Sequence, residues 1–466
     1  MKITSKIIEH QVFKAINKIA SDNNVKVFII GGFVRDLLLN RQSKDIDILV
    51  VGSGVDFAKK LAKYLNIKNV SYFKNFGTAM LKYQDIEVEF VGARKESYDR
   101  NSRNPIVEDG TFDDDLNRRD FTINAMGISL NSENYGELID KFNGIKDLKN
   151  KLIKTPLDPN ITFSDDPLRM LRAIRFSSQL NFCLDKKIIV AIKQNKTRLS
   201  IISKERIIDE MNKILLSPIP SKGINLLEET GLLMEFLPEL SNMKGVEIID
   251  GLGHKDNFYH SIEVVDNLAK TTNNIWLLWA GLLHDIGKPK TKRFQKAHGW
   301  TFHGHEVVGA RMVAKIFERL KLPTHDKMKY VKKLVGLHLR PIALVNEVSD
   351  SAIRRLLFDA GDDIDDLMLL AEADITSKND FKVKKFLNNF KIVRQKLVEI
   401  EEKDKLRNWQ PPVSGDDIMK LLKLKPSKEI GIIKNAIREA ILDGEIENNR
   451  DSALKFMYAK AKDIGL

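Results

Sequence analysis

The run Val27-Phe-Ile-Ile-Gly-Gly-Phe-Val-Arg-Asp36, separated by eight residues from Asp45-Ile-Asp-Ile-Leu-Val-Val51, decides with it the fold of the first third of the chain. The first run reads as a buried strand, a Gly31-Gly32 turn and a helix start. Glycine lets a backbone come close to an anion, and the free N–H groups at a helix N-terminus favour phosphate. In the second run, residues two apart on a strand share a face. Asp45 and Asp47 therefore point one way while Ile46 and Ile48 enter the core. Two carboxylates converging on one face repel each other unless a cation lies between them. Mg2+ accepts such oxygens while keeping waters and substrate phosphates, which suits a nucleoside triphosphate. Taken alone, each run has a plainer reading, a tight turn or a solvated strand edge; their succession favours the metal-dependent one. Ile86-Glu-Val-Glu-Phe90 offers a third carboxylate on one strand face, from Glu87 or Glu89.

Working outward, strand patterns cover residues 25–30, 45–51, 79–81 and 86–91, with a helix over 55–65. Strand signals fade after Pro156. Helical periodicity covers residues 168–176, 186–194 and 204–215, with breaks at Ser217-Pro-Ile-Pro220 and Leu237-Pro238. The fold class expected is an α+β head followed by an all-α remainder. At 466 residues the chain is too long for one ordinary core. Its start, Met1 to Asn17, reads as an amphipathic helix, and no apolar run approaches a membrane span, so no membrane partner is expected. A single cysteine, Cys183, rules out an internal disulfide framework and fits a reducing cytoplasm. The net charge of +12 points to a polyanionic partner. The distribution is more informative than the total: residues 186–222 carry nine Lys/Arg against three Asp/Glu, and residues 286–333 thirteen against three.

Asp115-Leu-Asn-Arg-Arg-Asp-Phe-Thr-Ile-Asn-Ala-Met126 packs Arg118, Arg119, Asp120 and Asn124 into a short polar cluster. Arginine grips phosphate with a forked geometry, and Asn124 can bond a phosphate or ribose oxygen. In combination and order, Gly-Gly-Phe-Val-Arg-Asp, Asp-Ile-Asp and Arg-Arg-Asp-Phe-Thr-Ile-Asn-Ala resemble the bacterial tRNA CCA-adding enzyme and poly(A) polymerase family. The resemblance runs from about residue 25 to the end. It implies a polymerase-β-like nucleotidyltransferase head in which Asp45 and Asp47 hold Mg2+ and activate an RNA 3′-hydroxyl. It also implies tRNA, ATP and CTP as partners and a nucleotide-contacting set of Gly31, Gly32, Arg35, Arg118, Arg119, Asp120, Asn124, Asp166, Arg169 and Arg172.

Within Asp165-Asp166-Pro-Leu-Arg169-Met-Leu-Arg172, the spacing puts Asp166 and Arg169 at i, i+3 on one helix face, close enough to pair. Cytosine and adenine each show an amino donor beside a ring-nitrogen acceptor. An Asp–Arg pair can select them over guanine and uracil without a nucleic-acid template. Taken blind, such a pair is an ordinary surface salt bridge; the resemblance, whose motif is Glu/Asp-Asp-x-x-Arg, favours the selective role. Asp165 stands where Glu is usual. Lys204-Glu-Arg-Ile-Ile-Asp-Glu210 resembles a further family motif, with Arg206 as a brace for the template helix.

The histidines concentrate between His254 and His338. His260, His284-Asp285, His305, His338 and Asp374 follow one another on expected helices. A lone histidine on an apolar face is usually a core residue, but six ligand-type residues in series fit a metal set. They resemble the HD phosphohydrolase superfamily, whose minimal set would be His260, His284, Asp285 and Asp374. His305 and His338 then fall where some members hold a second metal. The ion expected is Mg2+, Mn2+, Ni2+ or Fe2+, with phosphorylated RNA ends or nucleotides as substrates. His298, His303 and His325 are expected at the surface. The resemblance assigns the tail to tRNA contact, with a turn at Gly431 and Lys428 and Lys434 near the RNA backbone. It divides the chain into a head (1–155), a helical neck and body with the template helix (156–245), an HD-type domain (246–400) and a helical tail (401–466). The resemblance implies CCA addition to tRNA, with a poly(A) polymerase or a partial (CC- or A-) adding enzyme as the alternative within the class. An HD phosphohydrolase or RNA-binding protein with an inert head is the alternative of another class, and the Asp45/Asp47 pair argues against it.

Overall fold

The structure is a computed structural model. It describes residues 8–43, 45–73, 77–84, 86–97, 106–346, 349–376, 379–404, 406–407 and 409–466. The chain forms two compact units, Met1–Phe236 and Leu237–Leu466. Part of the expected N-terminal helix lies outside the described residues; the described helix is Gln11–Asp22, with Val12, Phe13, Ile16 and Ile19 on its buried face.

The first unit is built on a seven-stranded sheet. Its strands are β1 (Val27–Ile30), β2 (Asp45–Val50), β3 (Val70–Phe73), β4 (Thr78–Tyr83), β5 (Ile86–Gly92), β8 (Met126–Ser129) and β9 (Leu138–Asp140), with β6 (Arg94–Ser97) and β7 (Ile106–Asp109) forming a separate pair. The order across the large sheet is β3-β4-β5-β2-β1-β8-β9. β2 runs parallel to β5 and antiparallel to β1, and the register sets Asp45 opposite Glu87 and Asp47 opposite Glu89. Ile46 and Ile48 are buried, as the period of two requires. The helix Gly54–Tyr64 returns the chain between β2 and β3, its N-cap Ser53 accepting from the backbone N–H of Asp56.

β3, β8 and β9 have no counterpart among the sequence expectations. Val70-Ser-Tyr-Phe73 is an edge strand whose residues are all at least partly exposed, so it carries no alternation to read. Beyond the sheet comes the helix Pro159–Asp165, which the sequence reading did not include, and then Leu168–Leu180, Lys186–Asn195 and Lys204–Leu215, which match the periodicity closely. Among the described residues the remaining elements are helical apart from an isolated bridge between Ile249 and Leu252 and two short pairings, Leu152–Ile153 with Cys183–Leu184 and the hairpin Arg293–Gln295/Gly299–Thr301.

The second unit gathers Asn257–Ala269, Ile275–Leu283, His305–Leu320, Asp326–Leu337 and Ile364–Ala373 around a core that includes Trp279, Phe258 and Phe317. Its tail forms a smaller cluster of Ile418, Ile433, Ile437 and Met457. Ser414 caps the helix Gly415–Leu422 through a reciprocal bond with Asp417. Gly431, expected in a turn, instead lies inside the helix Lys428–Asp443, because Ser427 already starts that helix. No helix among the described residues is long and apolar enough to cross a membrane.

Candidate functional sites

Gly31 ends β1 with φ +76°, a conformation that glycine adopts without strain. A Cβ built there would lie 3.0 Å from Arg119 Nη1 and 3.3 Å from Asp47 Oδ2. The turn thus presses against the carboxylate of β2, and any side chain would push into it. Asp47 feels burial first, then Glu89 and Asp45, all raising its pKa against the opposing Arg119, and the balance lies at about 6. Of the two candidate third carboxylates, Glu89 is the register partner of Asp47 and acts on its charge, whereas Glu87 is exposed beside Asp45. Three hard-oxygen donors on one sheet face, one of them with its pKa raised by burial and by its carboxylate neighbours, fit a divalent cation.

The Arg-Arg-Asp segment forms a lattice rather than a set of free arms. Asp115, fully buried, receives Arg118 Nε at 2.9 Å on one oxygen and Arg119 Nη2 at 3.0 Å on the other. Arg35 Nη1 donates to Asn124 Oδ1 (2.8 Å), and Asn124 Nδ2 donates to Asp120 Oδ1 (3.0 Å). Arg172 donates through Nε and Nη2 to Asp120 Oδ2 at 2.8 and 2.6 Å. Burial would raise the Asp120 pKa, but Arg172 and the bonds from Asn124 and Arg172 outweigh it and hold it at about 2. Arg35, Arg172 and Arg175 place their guanidinium carbons 4.9, 5.5 and 3.9 Å from the Phe176 ring centre. Arg175 also pairs with the buried Glu210 at 2.5 Å. The structure therefore brings Arg35, Asp120, Asn124 and Arg172 together and engages them with one another. Asp115, Arg175 and Glu210 were missed. The i, i+3 and i, i+4 spacing of Asp115 to Arg118 and Arg119 was the signal available for the first.

The expected Asp166–Arg169 pairing is not formed. Asp166 is extended (φ −133°, ψ 100°) and precedes the helix Leu168–Leu180. Pro167 follows it, and the residue before a proline is pushed out of the helical region. The Asp166 carboxylate accepts from the Leu168 N–H (3.1 Å) and meets Arg206 Nη2 at 3.5 Å, so Arg206 does brace this corner. Arg169 Nη2 donates to the Arg118 carbonyl at 2.7 Å. The two side chains thus flank the helix start as separate acceptor and donor.

In the second unit the six expected residues converge. Two sets, His260/His284/Asp285 and Asp285/His305/His338, each bring their donor atoms within 4.8 Å of one another, and Asp285 belongs to both. Asp285 Oδ2 is 3.3 Å from His284 Nε2, and its Oδ1 is 3.2 Å from His305 Nε2. Asp374 Oδ1 lies 2.7 Å from His260 Nε2 and 3.5 Å from His284 Nε2. His284, His305 and His338 place Nδ1 at 2.8, 2.8 and 2.7 Å from the carbonyls of Gly281, Phe302 and Val335, each three residues back. Donating there leaves each Nε2 with its lone pair facing inward. His305 Nε2 and His338 Nε2 are only 3.3 Å apart, an unfavourable approach of lone pairs that a cation relieves. Burial opposes charge on His284, but Asp285 and Asp374 outweigh it and push its pKa up to about 10. Burial draws His338 down to about 4, leaving it neutral and ready to ligate. Lys288 pairs with Asp285, and Lys255 touches His260 Nδ1 (3.0 Å) and Thr376. Neither lysine was singled out from the sequence, although Lys288 sits one helical turn after Asp285. His298, His303 and His325 are exposed.

Comparison with known proteins adds a family to this geometry. Residues 27–154 match the poly A polymerase head domain, residues 181–244 the probable RNA and SrmB-binding site of polymerase A, and residues 257–379 the HD domain. The chain is 33% identical over 346 residues to the A-adding tRNA nucleotidyltransferase of Deinococcus radiodurans, covering 72% of this chain and 76% of that one. It is 44% identical over 193 residues to the A-adding tRNA nucleotidyltransferase of Aquifex aeolicus, 41% of this chain but only 23% of that protein's length. To the CCA-adding enzyme of a Geobacillus species it is 36% identical, over 52% of this chain and 61% of that one. Among solved structures, a tRNA nucleotidyltransferase complexed with a primer tRNA and an incoming ATP analog superimposes with a TM-score of 0.57 at 26% identity, covering 82% of this chain and 98% of that one.

Proposed function

Because the chain belongs to the tRNA nucleotidyltransferase family, we propose that it adds C, C and A to the 3′ end of tRNA from CTP and ATP without a nucleic-acid template. The observation that carries this is the carboxylate face of Asp45, Asp47 and Glu89 set against the Gly31-Gly32 turn. Asp45 and Asp47 would hold Mg2+, with Glu89 as the neighbouring third carboxylate; when bound, the ion would neutralise charge on the triphosphate and lower the pKa of the 3′-hydroxyl. The tRNA 3′-hydroxyl loses its proton to solvent, its oxygen bonds to the α-phosphorus in line, and the bond to the β-phosphate breaks to release pyrophosphate. Gly31 and Gly32 open the backbone to the phosphates, and Arg118 and Arg119 face the same side. The lattice of Arg35, Asn124, Asp120 and Arg172 positions these groups and the start of the helix Leu168–Leu180. Asp166 and Arg169 read the base, the first accepting the amino group and the second donating to the ring nitrogen shared by cytosine and adenine. The basic stretch 186–222 and the tail, through Lys428 and Lys434, contact the tRNA backbone.

A second reading, addition of the terminal A alone, is favoured by the names of the Deinococcus and Aquifex relatives. In the second unit His260, His284, Asp285, His305, His338 and Asp374 hold one or two divalent ions, Mg2+, Mn2+, Ni2+ or Fe2+, for phosphohydrolysis of RNA ends or nucleotides. One experiment separates the readings of the head. tRNAs ending before the CCA, after the first C and after the second C are incubated with Mg2+ and each labelled triphosphate. Stepwise C, C, A that then stops supports the first reading. Addition of A only to the CC end supports the second, a long A tract indicates poly(A) synthesis, and no incorporation overturns them all.

A further inference from the structure

The second unit holds a cavity that neither proposed activity uses. It measures about 710 Å3 and is walled by the helices Asp350–Ala360, Asp380–Asp404 and Lys428–Asp443 and by the turn 444–449 that follows them. Arg354, Lys403 and Trp409 contribute to its lining. The Arg354 side chain is only 13% exposed, yet its one bond is from Nε to Asp404 Oδ2, at 2.7 Å. Among the described residues neither of its Nη atoms has a hydrogen-bond partner. The next residue, Arg355, behaves differently and engages Glu439 and Asp443 through both Nη atoms. Gly444 keeps the Arg354 fork open. It has φ +76°, and a Cβ there would lie 3.0 Å from Arg354 Nη1. A guanidinium this far withdrawn from water with its fork unbonded is costly until an acceptor arrives.

We infer that this cavity binds a nucleoside monophosphate, with the phosphate on the Arg354 fork and Lys403 and the base against Trp409. The volume falls in the range of small-molecule sites. The fork matches two oxygens of one phosphate, and Lys403, exposed and without an ion pair among the described residues, adds a second positive charge. Trp409 is half-buried and meets Phe358 edge-on at 6.0 Å, so it offers a flat apolar surface for a ring. The acids select a small ligand over a nucleic-acid chain. Asp404, Glu445 and Glu447 line the same cavity, and the repeated phosphates of RNA would meet them. One phosphate on Arg354 avoids them. The site is separate from the head and from the histidine cage, and the inference stands whatever either of those does.

The test is isothermal titration calorimetry of the full chain in EDTA, which removes divalent ions from both other sites. The ligands are AMP, adenosine, inorganic phosphate and an RNA hexamer. AMP should bind, with adenosine and phosphate each weaker by at least about ten-fold. Arg354→Lys keeps a charge beside Asp404 but removes the fork, and it should weaken AMP about ten-fold. Lys403→Gln, at an exposed position, should weaken it about three-fold. Circular dichroism checks both folds, and Lys403→Gln keeps the test decisive if Arg354→Lys does not fold. AMP should also raise the Tm of the wild type more than that of either variant. Absence of AMP binding overturns the inference, as does AMP binding that both variants leave unchanged, which places the ligand elsewhere. Phosphate or the RNA hexamer binding as tightly as AMP overturns it too, in favour of a bare ion or a polyanion.

Discussion

In the first unit, Asp45, Asp47 and Glu89 ride on two neighbouring strands, their spacing dictated by the sheet and one side left open. In the second, six side chains come from five helices, are mostly buried, and are locked by bonds from three imidazole Nδ1 atoms to backbone carbonyls. Among the described residues, only the second unit draws three or more metal-type donors within 4.8 Å of each other. The contrast teaches how a protein could separate borrowed from resident ions. On the proposed reading, a sparse carboxylate face would be completed by whatever the substrate brings, and an enclosed nitrogen-and-oxygen cage would hold its ion between turnovers.

The strongest test of this contrast is Asp47→Ala. It should reduce nucleotide addition on the order of a thousand-fold while the divalent metal retained after gel filtration, measured by elemental analysis, stays unchanged. Conversely, Asp285→Ala removes the residue shared by both ligand sets. Retained metal should fall by more than about ten-fold, with nucleotide addition altered by less than about two-fold. If both variants lose both properties, the two sites are not of different kinds. Arg169→Ala sharpens the description of the open site: the preference for CTP and ATP over UTP and GTP should collapse by roughly a hundred-fold in kcat/KM. Unchanged selectivity would remove Arg169 from base reading.

A smaller effect concerns the lattice beneath that site. The folded-state pKa of Asp120 lies at about 2, below the 3.8 of an ordinary aspartate. A depressed pKa means that ionised Asp120 stabilises the fold at every pH above the unfolded value, and the contribution is lost as pH falls toward 2. Asp120→Asn should therefore cost about 2–3 kcal/mol in urea unfolding at pH 7. The difference from wild type should shrink between pH 4 and 2. The smallest change expected is Arg206→Ala, which removes a half-exposed 3.5 Å pair with Asp166 and should cost less than about 1 kcal/mol.

The two regions also differed in legibility. The head carboxylates could be read because a strand has a period of two, and the six metal-type residues because histidine and aspartate rarely recur in series on helices. What stayed hidden depended on long-range pairing. β3 is an exposed edge strand, so nothing in Val70-Ser-Tyr-Phe73 marks its partner. Glu89 and Glu87 were equivalent until the register placed one of them opposite Asp47. The i, i+3 rule failed at Asp166 because Pro167 takes that residue out of the helix, a local effect that was available in the sequence. Arg35, Asp120, Asn124 and Arg172 show a different limit of sequence reading. As a set of residue types they look like arms for a ligand, and only their distances reveal that they hold one another.

Three of the metal-type residues stand where helices stop. His284 follows Ile275–Leu283, His338 follows Asp326–Leu337, and Asp374 follows Ile364–Ala373, each as the C-cap. The peptide dipoles of those helices thus turn their negative ends toward one small volume, adding partial charges of about half an electron each to those of the side chains. A cation there is attracted by backbone as well as by ligands. Substitution of a single histidine weakens its grip without reversing the sign of the field, so the cage should tolerate drift in its ligands better than the open strand face, whose negative potential comes from carboxylates and is opposed by Arg119.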